Sequence, residues 1–194
     1  MIIKIAESHW STSLAHVNHT DDRQFPAALA AALALVLDCD YDGDGGIDFE
    51  PFPAFECADD TTSWFRAWTG NAELDGDEFR VFGQDGSGGY AAFWLVRPGR
   101  PVVEQPVVFL GSEGETGVVA RDLGAFLWLL AGGYGPGEAV DPSRRREWTA
   151  RPRPELLAVA EQFAGERRQS PTAVIEEAAL EFPEFDDTVA ELCC

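Results

Sequence analysis

Between Glu78 and Gly133 the chain reads EFRVFGQDGSGGYAAFWLV, then QPVVFLGSEGETGVVA, then RDLGAFLWLLAGG. Each of the first two stretches sets aromatic and β-branched runs on either side of a glycine-rich link, the pattern of a β-hairpin with a longer turn. The third is a run of helix formers closed by Gly132 and Gly133. Two consecutive hairpins that hand over directly to a covering helix leave few architectures open, and the expectation is an α+β fold built on antiparallel strands. Gly86, Gly88 and Gly89 fall in the first turn, and Gly111, Gly114 and Gly117 in the second. FGQDGSGGY lacks the GK[ST] ending of a phosphate loop and is followed by a strand rather than a helix N-terminus, so a structural turn is the preferred reading. Phe93 and Trp94 are adjacent on one strand and point to opposite faces, so one of them meets a second layer or a partner.

Upstream, FPAALAAALALVLD from Phe25 reads as a helix with proline in its first turn, apolar nearly all round and therefore expected to be buried. DDTTSWFRAWTGN predicts a short helix capped by Asp59 or Asp60 and ended at Gly70, carrying Trp64, Phe65 and Trp68. Residues 2–5 (IIKI) suggest a short strand. Downstream of Gly135 the segment GPGEAVDPSRRREWTARPRP reads as an Arg/Pro-rich linker, and ELLAVAEQFAGERR and SPTAVIEEAALEF as helices. The expected organisation is a domain over residues 1–140, then a linker and helical tail over residues 141–194.

Charge narrows the function classes. The chain carries 34 acidic and 14 basic residues, a formal net charge of −20. Such a field repels phosphate backbones and anionic lipid and attracts basic proteins, which argues against nucleic acid and membrane as partners. Every basic residue after position 140 lies between Arg144 and Arg168, so a tail folded back on an acidic body is one reading. MIIKIAESHW has no long apolar run, and a cytoplasmic location is expected. Cys39, Cys57, Cys193 and Cys194 lack zinc-site spacing and are read as free thiols. His9, His16 and His19 sit in a polar stretch without a fourth metal ligand. No nucleophile and base declare themselves as a pair, so no enzymatic role and no cofactor are expected.

One acidic stretch raises the calcium question. In DYDGDGGIDFE, Asp40, Asp42, Asp44 and Asp48 occupy positions 1, 3, 5 and 9 of an EF-hand loop, with Gly45 at 6 and Ile47 at 8. Position 12 is Pro51 instead of the bidentate glutamate, Glu50 falls one residue early, and Pro51 and Pro53 oppose an exiting helix. An acidic, glycine-enabled turn is the preferred reading, with a calcium-binding module as the alternative. The acidic groups Asp59–Asp60 and Asp75, Asp77 and Glu78, with Trp64 and Trp68, form the candidate partner-binding set, since aromatics anchor interfaces.

The helix opened by FPAAL, the turn GDGGIDF, the strand pair around FGQDGSGGYAAFWL and PVVFLGSEGETGVVARDLGAFLWLLAGG together resemble the SUKH superfamily, the Smi/Knr-like proteins, over roughly residues 25–135. The resemblance implies a curved, mostly antiparallel sheet flanked by helices. Many bacterial members are immunity proteins that bind and neutralise a toxin, often a nuclease, while fungal relatives are scaffold-like regulators of cell-wall synthesis. It therefore implies a non-catalytic protein whose basic partner is a toxin domain, with a housekeeping scaffold as a further alternative. The Asp40–Asp48 loop and the helical segment after Gly135 lie outside the matched motifs and inherit no function from them.

Overall fold

The computed structural model describes residues 23–37, 47–147 and 149–193. Residues 2–5, the three histidines, Cys39, Cys194 and Asp40, Asp42 and Asp44 lie outside them. The fold is α+β, with a five-stranded antiparallel sheet in the order β1-β2-β3-β4-β5. Its strands are β1 (Glu50–Pro51), β2 (Phe79–Gln84), β3 (Tyr90–Trp94), β4 (Val107–Leu110) and β5 (Thr116–Ala120). Helices α1 (Ala27–Leu37) and α2 (Ala58–Thr69) precede or interrupt the meander. Six follow it: α3 (Leu123–Ala131), α4 (Pro136–Val140), α5 (Pro142–Glu147), α6 (Pro154–Ala164), α7 (Pro171–Glu181) and α8 (Phe185–Leu192). No helix among the described residues is long and apolar enough to cross a membrane.

Strand alternation splits the apolar residues into two cores. Phe82, Ala91, Phe93, Val107 and Phe109 point to one face and meet α1, α3, Leu156, Ala160 and Ala164 of α6 and Val174 of α7. Phe79, Val81, Ala92, Trp94, Val108 and Leu110 point to the other and meet Phe65 of α2 and Phe185 and Val189 of α8. Phe93 and Trp94 thus serve different layers, and the second layer is closed by the last helix of the chain. Trp94 packs edge-to-face on Phe185 at 5.0 Å and on Phe182 at 5.7 Å. Val81 and Phe82 face opposite layers by the same alternation, and a bulge between Val81 and Gly83 leaves Phe82 as the extra residue in the β2–β3 ladder.

All nine residues of α3 are buried, which explains its uninterrupted apolar sequence. Asp122 opens it, accepting from the Ala125 amide at 2.9 Å and pairing with Arg167 at 2.6 Å. Helix α1 is less enclosed than its composition suggests: Leu29, Ala32, Leu33 and Val36 are buried, while Ala27, Ala30 and Ala34 face solvent. Alanine methyls expose little apolar area, so the outer face costs little. The stretch read as a linker carries α4 and α5, and Arg144 of α5 reaches Asp85 at 2.8 Å.

Candidate functional site

Helix α2 begins two or three residues before the expected caps. Cys57 is its N-cap: the thiol accepts from the Asp60 amide at 3.4 Å and donates to Asp60 Oδ2 at 3.0 Å. The bond to Asp60 is the main cause pushing the Cys57 thiol above its ordinary value. Asp59 and Asp60 fall instead in the first turn, both exposed, where negative charge complements the helix dipole. Glu56, Cys57 and Asp60 place ligand atoms within 4.8 Å of one another, a grouping that the cap accounts for.

One side of α2 is given to the sheet. Phe65 is fully buried and stacks on Phe79 at 4.4 Å. Trp64 and Trp68, half-buried, belong to an aromatic ladder along the second face. Tyr90 stacks on Trp64 at 4.2 Å, Trp64 on Trp68 at 5.4 Å, and Phe52 meets Tyr90 edge-on at 5.8 Å. Trp68 Nε1 donates to the Gly111 carbonyl at 2.8 Å, which ties the helix to the β4–β5 turn. Burial, then the charges of Glu56 and Asp60, push the Tyr90 hydroxyl up.

After Gly70, at φ 71°, the chain doubles back along the helix. The Gly76 amide donates to Thr62 Oγ1 at 3.0 Å, and a Cβ on Gly76 would lie 2.6 Å from Thr61 Cγ2. This return places exposed Asp75 and Asp77 alongside the turn that follows Asp59 and Asp60. Burial, then the charge of Asp75, raise the Glu78 carboxyl, against a hydrogen bond from Trp94. The acidic groups separated in sequence therefore meet at one end of α2.

The rest of that layer has the same sign. Helix α8 adds exposed Asp186, Asp187 and Glu191. Arg66 is the sole basic residue of α2, the α2–β2 connection and α8, and its Nε bonds the Leu74 carbonyl at 2.7 Å. Five arginines elsewhere pair with carboxylates outside the layer: Arg121 with Glu177, Arg144 with Asp85, Arg167 with Asp122, Arg168 with Glu161 and Arg97 with Glu181. Among the described residues no salt bridge reaches a carboxylate of α2, the α2–β2 connection or α8.

No family model, curated protein or solved structure matches this chain.

The glycine positions all serve the hairpins. Gly88 and Gly114 adopt positive φ, 89° and 95°, in the β2–β3 and β4–β5 turns. The two turns touch, with Ser112 Oγ donating to Ser87 Oγ at 3.1 Å, and a Cβ on Gly89 would lie 2.9 Å from Gly111 Cα. Gly117 belongs to β5, opposite Phe109, rather than to the turn. Asp48, the one calcium-loop aspartate within the described residues, accepts from the Gly86 amide at 3.0 Å and so pins the loop's exit to the β2–β3 turn.

Sequence reasoning missed Asp85 and Glu138. Asp85 is buried and clamps its own turn through the Ser87 amide and hydroxyl and the Gly89 amide. Its signal was the DGSGG motif itself, since aspartate before glycine bonds its own backbone two residues on. Glu138 is also buried, its Oε2 accepting from the Gly135 amide at 2.9 Å; burial is the main cause raising its carboxyl. That pair is the reciprocal half of a helix cap, readable in GPGE only once α4 is known to exist.

Proposed function

We propose that this chain is a non-catalytic protein-binding domain, an immunity-type protein whose acidic α2–α8 layer covers a basic toxin of the nuclease kind. The observation that carries the reading is the negative charge of that layer, which no salt bridge among the described residues neutralises, with the half-buried Trp64 and Trp68 inside it. A nuclease holds phosphate with lysine and arginine, and an inhibitor of opposite sign gains association rate and specificity from such a field. Half-buried, rigid indoles are the side chains that anchor interfaces. The resemblance to the SUKH superfamily in element order supports the same class. The buried polar groups Asp85, Asp122 and Glu138 are each occupied in closing a turn or capping a helix, which supports scaffold rather than catalytic roles for them.

The test is to mix the purified protein with the basic nuclease domain encoded beside its gene and follow nuclease activity. Stoichiometric inhibition, lost in an Asp59→Lys, Asp60→Lys, Asp75→Lys, Asp77→Lys variant that stays folded, is the expected result. A neighbourhood without a toxin gene, or undiminished inhibition by the variant, would overturn the reading.

A further inference from the structure

At the C-terminal end of α2, between the β4–β5 turn and α8, lies a cleft of about 610 Å³. Its walls are Trp68, Ser112, Gly114, Thr116, Asp187 and Ala190, among others, and no lysine, arginine or histidine lines it. Buried Val189 adds apolar surface to its lining. The Trp68 indole is held in place by its bond to the Gly111 carbonyl and its stack on Trp64. Asp186 is engaged with the Thr116 hydroxyl at 2.7 Å, whereas no cation among the described residues pairs with exposed Asp187. Glu113 is exposed on the adjoining turn.

We infer that this cleft receives an arginine side chain from the basic partner, an inference that rests on the protein-binding reading above. An indole wall and a carboxylate rim are what a guanidinium needs: it stacks on the aromatic plane while its planar fork bonds the carboxylate. Lysine offers a point charge without the stacking plane, and a neutral side chain of the same shape loses the carboxylate. The cleft and the cluster of Asp59, Asp60, Asp75 and Asp77 lie towards opposite ends of α2, whose twelve residues span about 18 Å. A segment laid along the helix reaches both.

The probe is the capped peptide acetyl-Gly-Arg-Gly-amide, compared with its citrulline and lysine counterparts, titrated into the full chain and followed by the Trp68 indole N–H and the Gly114 and Ala190 amides in nuclear magnetic resonance spectra. We expect the arginine peptide to shift these signals with a dissociation constant in the millimolar range, ~1–10 mM, as suits one side chain. Citrulline should leave them in place, and lysine should bind more weakly. Ala190→Trp, at an exposed helical position, fills the cleft and should abolish the shifts while the variant melts as the wild type does. Asp187→Asn, a surface change, should weaken binding about fivefold. Equal shifts with citrulline, shifts that persist in Ala190→Trp, or none at Trp68 and Gly114 would overturn the inference. A toxin that binds Ala190→Trp as tightly as the wild type also contradicts the cleft while leaving the acidic-layer reading standing. A toxin that fails to bind the wild type contradicts that reading instead.

Discussion

Replacing Asp85 with alanine removes the carboxylate that closes the β2–β3 turn from within and receives α5. Its side chain is fully buried, and Arg144 is about a third exposed. Oδ1 accepts from the Ser87 amide at 3.0 Å, the Ser87 hydroxyl at 2.7 Å and the Gly89 amide at 2.8 Å, and Oδ2 from Arg144 at 2.8 Å. Burial alone would raise this carboxyl; the Arg144 guanidinium, the Ser87 hydroxyl and the Gly89 amide outweigh it and hold the group below the usual aspartate value. In the variant Ser87 and Arg144 can turn to water, but the buried Gly89 amide cannot, and an unsatisfied buried donor costs ~1–3 kcal/mol. With the lost charge-assisted bonds, the expected destabilisation is about 3–4 kcal/mol, a large share of a typical ~5–15 kcal/mol. Urea unfolding at neutral pH measures it. Asp85→Asn keeps an acceptor and should cost roughly half as much, and a cycle with Arg144→Ala should return a coupling of ~1 kcal/mol, since the arginine is partly solvated. The folded-state value lies below the unfolded one, so the contribution is present above the ordinary aspartate value and fades as pH falls through the folded value. Wild type and Asp85→Ala should therefore converge in acid. A neutral-pH difference under about 1 kcal/mol would refute the claim that this carboxylate organises the turn.

Three further outcomes follow from the packing. Phe185→Ala, at a residue 3% exposed against Trp94, should cost ~3–5 kcal/mol by chemical denaturation, and a negligible effect would mean that α8 is not seated on the sheet. Gly89→Ala, whose Cβ would lie 2.6 Å from Phe109 Cζ, should lower the melting temperature more than Gly114→Ala, where only the positive φ resists, at ~1–2 kcal/mol. Equal effects would contradict the close approach of the two turns. Glu138→Gln keeps the acceptor for Gly135 and removes the buried charge. Because the Glu138 carboxyl is raised, its contribution is present below the ordinary glutamate value and lost as pH rises through the folded value. The glutamine variant should gain on the wild type over that rise, as read by denaturation at several pH values.

The hairpins, the helix after them and the two-sided demand of Phe93 and Trp94 were legible because strand alternation and glycine turns are local signals. What lay beyond them was pairing across distance. Nothing in FPEFDDTVAELCC says that Phe185 will face Trp94, since any amphipathic helix of that length could have covered the second face. The candidate acidic residues were legible as types, yet their meeting at one end of α2 depends on the return pinned by Gly76 and Thr62. Cys57 displaced the expected aspartate caps because the helix starts two or three residues earlier, where the thiol takes the Asp60 amide. Helices α4 and α5 hid behind proline and glycine that usually mark linkers, whereas the burial of Glu138 and Ala139 and the reach of Arg144 to Asp85 make them part of the body.

The most direct test of the acidic-layer account is the association rate between this protein and the basic toxin proposed as its partner, measured by stopped flow across ionic strength. Neutralising Asp59, Asp60, Asp75 and Asp77 as asparagines should slow association at low salt by about tenfold or more and flatten its salt dependence. Neutralising an equal number of carboxylates on and between α6 and α7, Glu155 and Glu161 of α6, Glu166 of the turn after it and Glu176 of α7, as glutamines, should change the rate less than about twofold. Equal slowing by the two sets, or a rate insensitive to salt in the wild type, would contradict the claim that the α2–α8 layer is the face that meets the partner.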